Sequence, residues 1–315
     1  MKQRFKTPVL GIADLASLPL TYLSGLWLRN VRRALHRLPL NRKLLRMLGV
    51  LPVRHHYYEP IVFPGDLRRP LTEERPLPGL DLNVEEQLEL LGKFHFNSEL
   101  ANLPLEKTGA GSFYYHNKFF ESGDAEFLFN MIRHFKPANI IEVGGGYSTL
   151  MARYAIEKNI EEYGSYNCNH ICIEPYEQAW LERAGPKIIR ERVEFLDPGF
   201  FGVLGKNDFL VIDSSHVVRP QGDVLFEYLE LLGTLRSGVI IHAHDIFTPR
   251  DYPERWVLQE AKLWTEQYLL EAFLSFNPGF RVIGALNYLW HNYRQHLTRA
   301  CPILAQEAGR EPASF

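Results

Sequence analysis

Residues 140–149 read Ile-Ile-Glu-Val-Gly-Gly-Gly-Tyr-Ser-Thr, which predicts a buried strand, a sharp turn and the start of a helix. Glycine is needed where a backbone must turn tightly and approach a ligand with no Cβ in the way. Gly144 and Gly146 match the first two positions of the dinucleotide pattern Gly-x-Gly-x-x-Gly, but Thr149 stands in the third. Glu142 would repel a pyrophosphate and attract a positively charged group. The loop therefore favours a cationic ligand over a dinucleotide.

From Ala138 onward the chain alternates between apolar, strand-like runs and helical segments. The runs at 209–212 and 239–241 are too continuous for burial on one face, which is typical of a parallel sheet covered on both faces. Strands are predicted at 139–143, 169–174, 191–196, 208–213, 238–243 and 280–286, and helices at 148–159, 176–184, 220–236 and 255–275. This order predicts a doubly wound α/β fold with a mostly parallel sheet.

Four parts are predicted along the chain. Residues 1–82 form a helical, basic N-terminal arm with a proline-rich linker, and residues 83–137 form a helical and aromatic lead-in to the core. Residues 138–300 form the α/β domain, and residues 301–315 form a C-terminal tail.

The charge of the chain is uneven although its net value is only −2. Residues 1–54 contain eleven basic side chains and one acid, Asp14. This split indicates an anionic partner for the arm: a phospholipid surface bound by an amphipathic helix, a polyanionic glycan, or the acidic remainder of the chain itself. Asp14 and Pro19 interrupt the apolar stretch 9–28, so a membrane span is not predicted. No nucleic-acid partner is predicted.

The cysteines indicate the redox state of the compartment in which the protein works. The three cysteines form neither an even disulfide set nor a metal-like pair. Buried thiols in a reducing cytoplasm are the prediction, with the arm placing the protein peripherally at the inner membrane surface.

Polar residues that end strands are candidates for ligand contacts, because ligands of doubly wound sheets bind beyond the carboxyl ends of the strands. Glu174 ends the second predicted strand, where an acid can accept both hydroxyls of a ribose. Asp197 ends the third; it either contacts an adenine amino group or forms the turn before Pro198 and Gly199.

The fourth and fifth predicted strands end in Asp213-Ser-Ser-His216 and in His242-Ala-His244-Asp245. Neighbouring parallel strands would bring these side chains to one rim. Asp213, His244 and Asp245 could hold a divalent cation with positions open for substrate oxygens. Alternatively, His216 or His244 acts as a general base oriented by a carboxylate, and no metal is needed. A third interpretation is that these polar groups only cap strand ends through hydrogen bonds.

From about residue 113 to residue 289 the chain resembles a bacterial group of class I S-adenosylmethionine (SAM) dependent methyltransferases. The resemblance is carried by Tyr-Tyr-x-Asn at 114–117, Ser-Gly-Asp-Ala at 122–125, Glu-Val-Gly-Gly-Gly-Tyr-Ser-Thr at 142–149, Cys-Ile-Glu-Pro at 172–175, Ile-Asp-Ser-Ser-His at 212–216, His-x-His-Asp-Ile-Phe at 242–247 and Tyr-Pro-x-x-Trp-Val at 252–257. It implies a Rossmann-like methyltransferase fold with SAM as cofactor. The residues that it implies for SAM binding are Glu142, Gly144, Gly145, Gly146, Tyr147, Ser148, Glu174, Asp197, Asp213, Tyr115 and Asn117.

The rim is also similar to that of divalent-metal O-methyltransferases, which place an Asp after the fourth strand and an acidic or amide pair after the fifth. Asp213, His244 and Asp245 occupy these positions, and His244 replaces the usual first Asp of the pair. The resemblance thus implies a divalent-cation site, and the histidine favours a softer metal than Mg²⁺, or none.

The function that these features imply is methyl transfer from SAM to a hydroxyl of a sugar, glycolipid or small molecule. His216, His244 and Asp245 are the predicted catalytic residues, acting by themselves or with a divalent cation. Two alternatives use the same fold: a nicotinamide-dependent oxidoreductase, and a non-catalytic SAM-fold module docked by its basic arm.

Overall fold

The structure, a computed structural model, describes residues 6–109, 111–176, 179–307 and 309–315. The chain divides into two compact units. Unit 1 comprises Met1–Pro70 and Glu254–Leu263, and unit 2 comprises Leu71–Pro253 and Trp264–Phe315.

Unit 1 is built mainly from two helices, α1 (Lys6–Ala34) and α2 (Pro39–Met47). Its described residues bury few apolar side chains, among them Val31 and Leu45. Glu59 accepts two hydrogen bonds of 2.8 Å from the guanidinium of Arg32, which connects α1 to the segment that follows α2. Among the described residues, no helix has the length and apolarity needed to span a bilayer.

Unit 2 contains a five-stranded, all-parallel sheet of order β3-β2-β1-β4-β5. Its strands are β1 (Asn139–Val143), β2 (Asn169–Ile173), β3 (Lys187–Ile189), β4 (Phe209–Ile212) and β5 (Ile240–Ala243). Its longer helical segments are α3 (Val84–Leu91), α4 (Asn97–Leu100), α5 (Asp124–Phe135), α6 (Tyr147–Tyr163), α7 (Asp223–Leu225, continued by a π-helix at Phe226–Leu231), α8 (Glu266–Leu274), α9 (Leu286–Asn292) and α10 (Arg294–Ala300).

Helices cover both faces of this sheet. Alternate residues of each strand point to opposite sides, so that apolar side chains pack against helices on both. Ile140 of β1 belongs to one apolar cluster together with Phe129 of α5 and Met151 of α6. Ile141 belongs to a second cluster together with Leu231 and with Leu270 of α8. The predicted doubly wound, Rossmann-like fold is therefore confirmed, and the helical N-terminal region is present.

The third predicted strand is wrong in position. β3 is Lys187–Ile189, and part of the predicted range 191–196 is instead a 3₁₀-turn, Val193–Phe195. The segment alternates charged and apolar residues, and the side chain of Arg192 pairs with that of Glu194. Only Val193 of this turn is buried, so the apolar residues 193 and 195 do not share a buried strand face.

The sixth predicted strand, 280–286, is absent from the described chain, and α9 begins at its last residue. Gly284 packs so closely on α5 that a Cβ there would lie 2.6 Å from the ring of Phe127. At Ala243 the outer edge of β5 is hydrogen bonded to Phe315 in both directions, each bond 2.8 Å long. The C-terminal residues thus occupy this part of the edge.

Two predicted helices also differ. The described part of 176–184 contains only a 3₁₀-turn, Leu181–Ala184, and residues 177 and 178 lie outside the described residues. The range 255–275 is divided into a π-helix in unit 1, Arg255–Gln259, and α8 in unit 2.

The first turn of α5 fixes the C-terminal region through two buried acids. Asp124 accepts hydrogen bonds from the backbone N–H groups of Ala313 and Ser314, at 2.9 and 2.7 Å. Glu126 accepts N–H groups from Gly123, Ile303 and Leu304, at 3.1, 2.8 and 3.0 Å. Burial raises the pKa of Glu126 to about 7, although the three N–H donors act in the opposite direction.

We expect Glu126→Gln to lower the free energy of unfolding by about 1–3 kcal/mol, because an amide N–H would oppose backbone donors that the carboxylate now satisfies. Chemical denaturation measures the change. Glu230→Gln, at an exposed position, is the matched control and should leave stability unaltered. Equal stability of both variants would show that the acid is not needed to attach the C-terminal region.

Candidate active site

The loop between β1 and α6 contains three glycines with different surroundings. Gly144 has φ +85°, and a Cβ there would lie 2.0 Å from the carbonyl oxygen of Asp213. A Cβ on Gly145 would lie 2.5 Å from Sγ of Cys172. No described atom lies within 4 Å of a Cβ placed on Gly146. The first two glycines therefore permit close packing, whereas the third borders open space at the N-terminus of α6.

Backbone bonds fix the loop between the ends of β2 and β4. The N–H of Gly144 donates to the carbonyl of Ile173 at 3.0 Å, and the N–H of Asp213 donates to Val143 at 2.9 Å. Glu174 follows β2, and its carboxylate accepts the N–H groups of Gly145 and Tyr176 at 3.1 and 2.8 Å. A carboxylate has about four lone-pair sites, so Glu174 retains capacity for ribose hydroxyls beside the loop.

Aromatic side chains surround the start of α6. The hydroxyls of Tyr147 and Tyr114 are 3.0 Å apart, and the ring of Phe119 stacks on Tyr147 with centroids 6.1 Å apart. A cavity of about 70 Å³ beside them is lined by Tyr114, Tyr147 and Trp180, among others. Ser148, in the first turn of α6, is buried.

Glu142, predicted to contact the cofactor, is fully buried in β1 instead. Its Oε2 lies 2.8 Å from Nε2 of His170 on β2, and neither side chain is exposed. Glu142 points to the same sheet face as Ile140, under α5 and α6. The side chain of Glu142 therefore lies inside the sheet layer, and His170 provides the partner that a buried carboxylate needs.

Tyr115 and Asn117, also predicted to bind the cofactor, have local structural roles. Tyr115 is fully buried, with its ring edge-on to Phe113 at 5.3 Å. The Asn117 amide donates to the carbonyls of Tyr114 and Phe120, and its oxygen accepts the N–H groups of Phe119 and Phe120. Asn117 thus stabilises the turn that presents Tyr114 and Phe119.

Asp197 is not at a strand end, because β3 finishes at Ile189. It is exposed and caps a 3₁₀-turn, Pro198–Val203, by accepting the N–H of Gly199 at 2.6 Å. The turn-forming alternative therefore describes this residue. Arg190, which follows β3, donates to the carbonyl of Glu174 at 2.9 Å.

The ends of β4 and β5 bring two carboxylates and two imidazoles together. Nε2 of His216 lies 3.4 Å from Oδ1 of Asp213 and 3.7 Å from Oδ2 of Asp245. Nδ1 of His244 lies 3.5 and 3.8 Å from the same two oxygens. Ligand atoms of Asp213, His216 and Asp245 all fall within 4.8 Å of one another, a spacing that can hold a metal ion. We call these four residues the rim.

Each imidazole of the rim has a carboxylate behind it. Nδ1 of His216 donates to Glu266 at 2.7 Å, and Glu266 also accepts the hydroxyl of Tyr228 at 2.8 Å. Nε2 of His244 lies 3.8 Å from Oδ2 of Asp124. The bond to Glu266 keeps a proton of His216 on Nδ1, so that Nε2 is the nitrogen that faces the rim.

The backbone at the rim is left-handed at two non-glycine residues. His216 has φ +59° and Asp245 has φ +58°. Such conformations are uncommon outside glycine, although Asp and His tolerate them better than most residues. They cluster where a structure aims functional side chains, and here they direct both side chains toward Asp213.

Electrostatics couples the groups of the rim. Burial by itself would raise the pKa of Asp213, but His244 and His216 hold that pKa well below its usual range. Burial lowers the pKa of His216, and Asp213 and Glu266 raise it to about 10. Burial likewise opposes protonation of His244, yet Asp245 and Asp213 raise its pKa well above the ordinary value. The two carboxylates therefore attract positive charge into the space between them.

Two residues of this site were not predicted from the sequence. Glu266 is 50 positions from His216 and follows no motif. Asp124 lies in the Ser-Gly-Asp-Ala motif, so the sequence did contain a pattern that could have identified it. The four residues of the rim itself were all named from the sequence, and the structure brings them together at the ends of β4 and β5.

Three comparisons with known proteins gave matches. A family model described as "Methyltransferase domain" matches residues 141–246, from β1 through the end of the rim. A protein of Archaeoglobus fulgidus described as uncharacterized is 30% identical over 176 residues, covering 51% of this chain and 77% of that protein. A crystal structure of the O-methyltransferase from Bacillus cereus in complex with SAH covers 52% of this chain and 67% of its own, with 19% identity and a TM-score of 0.30.

The parallel sheet, the glycine loop and the matching family model define a class I SAM-dependent methyltransferase. Residues 141–246 of the chain belong to the methyltransferase domain family.

Two glycine variants of the loop are expected to have different effects. We expect Gly146→Ala to fold normally but to weaken SAM binding by about tenfold or more, because its methyl group would enter the open space above the loop. Gly144→Ala should lose folding stability, because its Cβ would meet the carbonyl of Asp213. Calorimetry with SAM and thermal unfolding separate the two effects.

Gly202→Ala, whose Cβ would also have no described atom within 4 Å, is the control and should alter neither property. Normal SAM affinity in folded Gly146→Ala would contradict the assignment of this space to the cofactor.

Proposed function

We propose that the protein transfers the methyl group of SAM to a hydroxyl of a sugar, glycolipid or other small molecule. The observation that supports it best is the rim, where two carboxylates and two imidazoles converge 3.4–3.8 Å apart, next to the backbone of the glycine loop. An oxygen nucleophile must be aligned with the sulfonium methyl group. A neighbouring group must also accept the proton of the hydroxyl or weaken its O–H bond.

The cofactor side of the proposal uses the loop and its neighbours. Gly144, Gly145 and Gly146 would allow SAM to approach the backbone at the N-terminus of α6, and Glu174 would accept its ribose hydroxyls. Tyr147 and Tyr114 offer aromatic faces, which attract a sulfonium cation.

Two ways of activating the acceptor oxygen fit the rim. In the first, the neutral form of His216, held as the Nδ1–H tautomer by Glu266, would accept the proton of a hydroxyl at Nε2. In the second, Asp213, His244 and Asp245 would hold a divalent cation, which when bound lowers the pKa of a hydroxyl. The buried Nδ1 of His244 has no hydrogen-bond partner among the described residues, which suits a cation ligand. In the first, Asp245 would face the reacting oxygen and orient it; in the second, it would do so through the cation.

The chemistry of the acceptor can be tested by mass spectrometry. Purified protein is incubated with SAM and with sugars, glycolipids and small alcohols, and S-adenosylhomocysteine and the methylated product are identified. We expect O-methylated products. Methylation at nitrogen or carbon, or no product with any hydroxyl acceptor, would overturn the proposal for a hydroxyl.

Asp245→Asn should reduce turnover by about 100-fold or more, since the carboxylate that faces the acceptor oxygen is neutralised. Asn also tolerates a left-handed φ, so SAM affinity should stay at the wild-type value. Steady-state kinetics and SAM calorimetry test this. Asp251→Asn is the control and should retain turnover; parallel loss of SAM binding in Asp245→Asn would remove the role given to Asp245.

We further propose that unit 1 binds an anionic phospholipid surface. Large apolar side chains of α1 are exposed, including Leu15 at 68%, Leu20 at 70% and Leu23 at 64%. Basic residues follow them, such as Arg42, Lys43 and Arg46 of α2, all exposed. Apolar residues that enter the lipid interface, combined with cations that meet anionic headgroups, characterise a helix bound in the membrane plane.

Co-sedimentation with vesicles tests the membrane proposal. The protein should bind phosphatidylcholine vesicles that contain phosphatidylglycerol, and bind pure phosphatidylcholine weakly. Reversing Arg42, Lys43 and Arg46 to Glu should abolish most of this binding, at about 1 kcal/mol per charge removed. The control reverses Lys93, Arg236 and Arg299 of unit 2. Equal binding to both vesicle types, or equal loss in the control, would refute the proposal.

A further inference from the structure

We infer that unit 2 contains a second binding site, a cavity beside the outer edge of β5 that takes a fatty acid. Its carboxylate would lie at the end of the cavity where β5 begins, and its acyl chain would lie along an apolar wall. No residue of the rim or of the glycine loop lines this cavity. The site therefore goes beyond the proposed methyl transfer, and its binding can be measured without SAM or a methyl acceptor.

The cavity lies where the sequence predicts a sixth strand. In the described chain, residues 280–284 form no strand pair with β5, and they line the cavity together with Ile241 of β5 and Phe273 of α8. Its volume is about 610 Å³, within the range of about 300–1,000 Å³ that is typical of small-molecule sites. All of its lining residues belong to unit 2. The space beside β5 is thus large enough for a ligand of substantial size.

The wall of the cavity is mainly apolar. Its apolar residues come from β5, from α8 and from the segment before α9, and include Ile241, Leu270, Phe273, Leu274, Phe280 and Val282. Each methylene group that an acyl chain buries against such a wall raises its affinity by about fourfold. A wall of this kind therefore favours an unbranched hydrocarbon chain.

Polar donors meet at the end of the cavity where β5 begins. Arg236 and Ser237 precede the strand, and both line the cavity. The N–H of Asn207, which also lines it, donates to the carbonyl of Gly238 at 2.8 Å and so holds Asn207 beside them. The side chains of Asn207, Arg236 and Ser237 have no hydrogen-bond partner among the described residues. A guanidinium, an amide and a hydroxyl are thus available to the head of a ligand.

The charge at this end favours an anion. The charged residues among the described lining are Arg236 and Arg281, without an Asp or a Glu. Arg281 is paired with Glu86 at 2.9 Å, whereas Arg236 has no ion pair within the described part of the chain. The side chain of Lys206 packs against Gly238 and adds a further positive charge. One unpaired guanidinium, whose planar fork matches a carboxylate, suits a singly charged carboxylate head.

A peptide strand suits the cavity less well than an acyl chain. Residues 240 and 242 of β5 bond to β4, and Ala243 is paired with Phe315, so Ile241 is the residue whose backbone N–H and C=O remain for an incoming strand. A peptide that extends a sheet binds through a row of such groups, and a single residue does not supply one. An acyl chain needs no hydrogen bonds along its length.

Calorimetry with the full chain, after removal of bound lipid, tests the site. The probes are octanoate, decanoate and dodecanoate, each below its critical micelle concentration, and decanol as the neutral analogue. We expect one equivalent of acid, an affinity that rises by about fourfold with each added methylene, and weaker binding of decanol than of decanoate. An affinity that does not depend on chain length, or decanol bound as tightly as decanoate, would overturn the inference.

Two variants locate the acid in the cavity. Val239→Trp fills the space that Val239 lines, and should weaken decanoate binding by about tenfold or more. Val203→Trp, at a position that is 52% exposed, is its matched control. Arg236→Gln should weaken decanoate binding by about fivefold and leave decanol binding unaltered, with exposed Arg299→Gln as its control. Thermal unfolding verifies that each variant is folded. Wild-type affinity for decanoate in folded Val239→Trp, or in Arg236→Gln, would contradict the assignment.

The basic arm also presents apolar side chains, so binding to it must be separated from binding to the cavity. Reversing Arg42, Lys43 and Arg46 to Glu should leave the affinity for decanoate at the wild-type value. Loss of binding in this variant, with none in Val239→Trp, would place the acid on the arm and refute the inference. These measurements contain no SAM, so their outcome is independent of the proposed function.

Discussion

The contact between Gly144 and the carbonyl of Asp213 is the constraint on which the site depends. A Cβ at position 144 would lie 2.0 Å from that oxygen, so the end of β1 and the end of β4 approach more closely than any other residue allows. The glycine loop and the rim are consequently parts of one rigid backbone arrangement. Methyl transfer requires reacting atoms about 3–3.5 Å apart and in line, and under the proposed function a fixed distance between the loop and the rim would serve that requirement.

The parts of the site that could be predicted are those that the parallel sheet determines. Strands with continuous apolar runs have recognisable ends, and all their carboxyl ends lie at one edge, so Asp213, His244 and Asp245 follow from the sequence. β3 could not be located, because a three-residue strand beside alternating charges has little periodicity. Glu266 could not be found either, because its relation to His216 depends on how α8 packs and not on any local pattern.

Glu142 fits a family pattern, but its side chain makes a different contact from the expected one. The acid before the glycines fits the family motif, and its charge was expected to attract a sulfonium. In the fold its side chain is turned away from the loop and bound to His170. Oε1 of Glu142 and Nδ1 of His170 have no hydrogen-bond partner among the described residues, which is costly in a buried position. The carboxylate is therefore partnered inside the sheet through Oε2 alone.

Through Asp124, the rim depends on the C-terminal residues of unit 2. One of its oxygens accepts the N–H groups of Ala313 and Ser314, and the other faces His244 at 3.8 Å. Phe315, the next residue, is paired with Ala243, directly before His244. The orientation of this imidazole is thus determined by the first turn of α5 together with the C-terminal residues. A change that released residues 313–315 would free both the edge of β5 and the carboxylate behind His244, so the rim would lose its geometry although none of its own residues had changed.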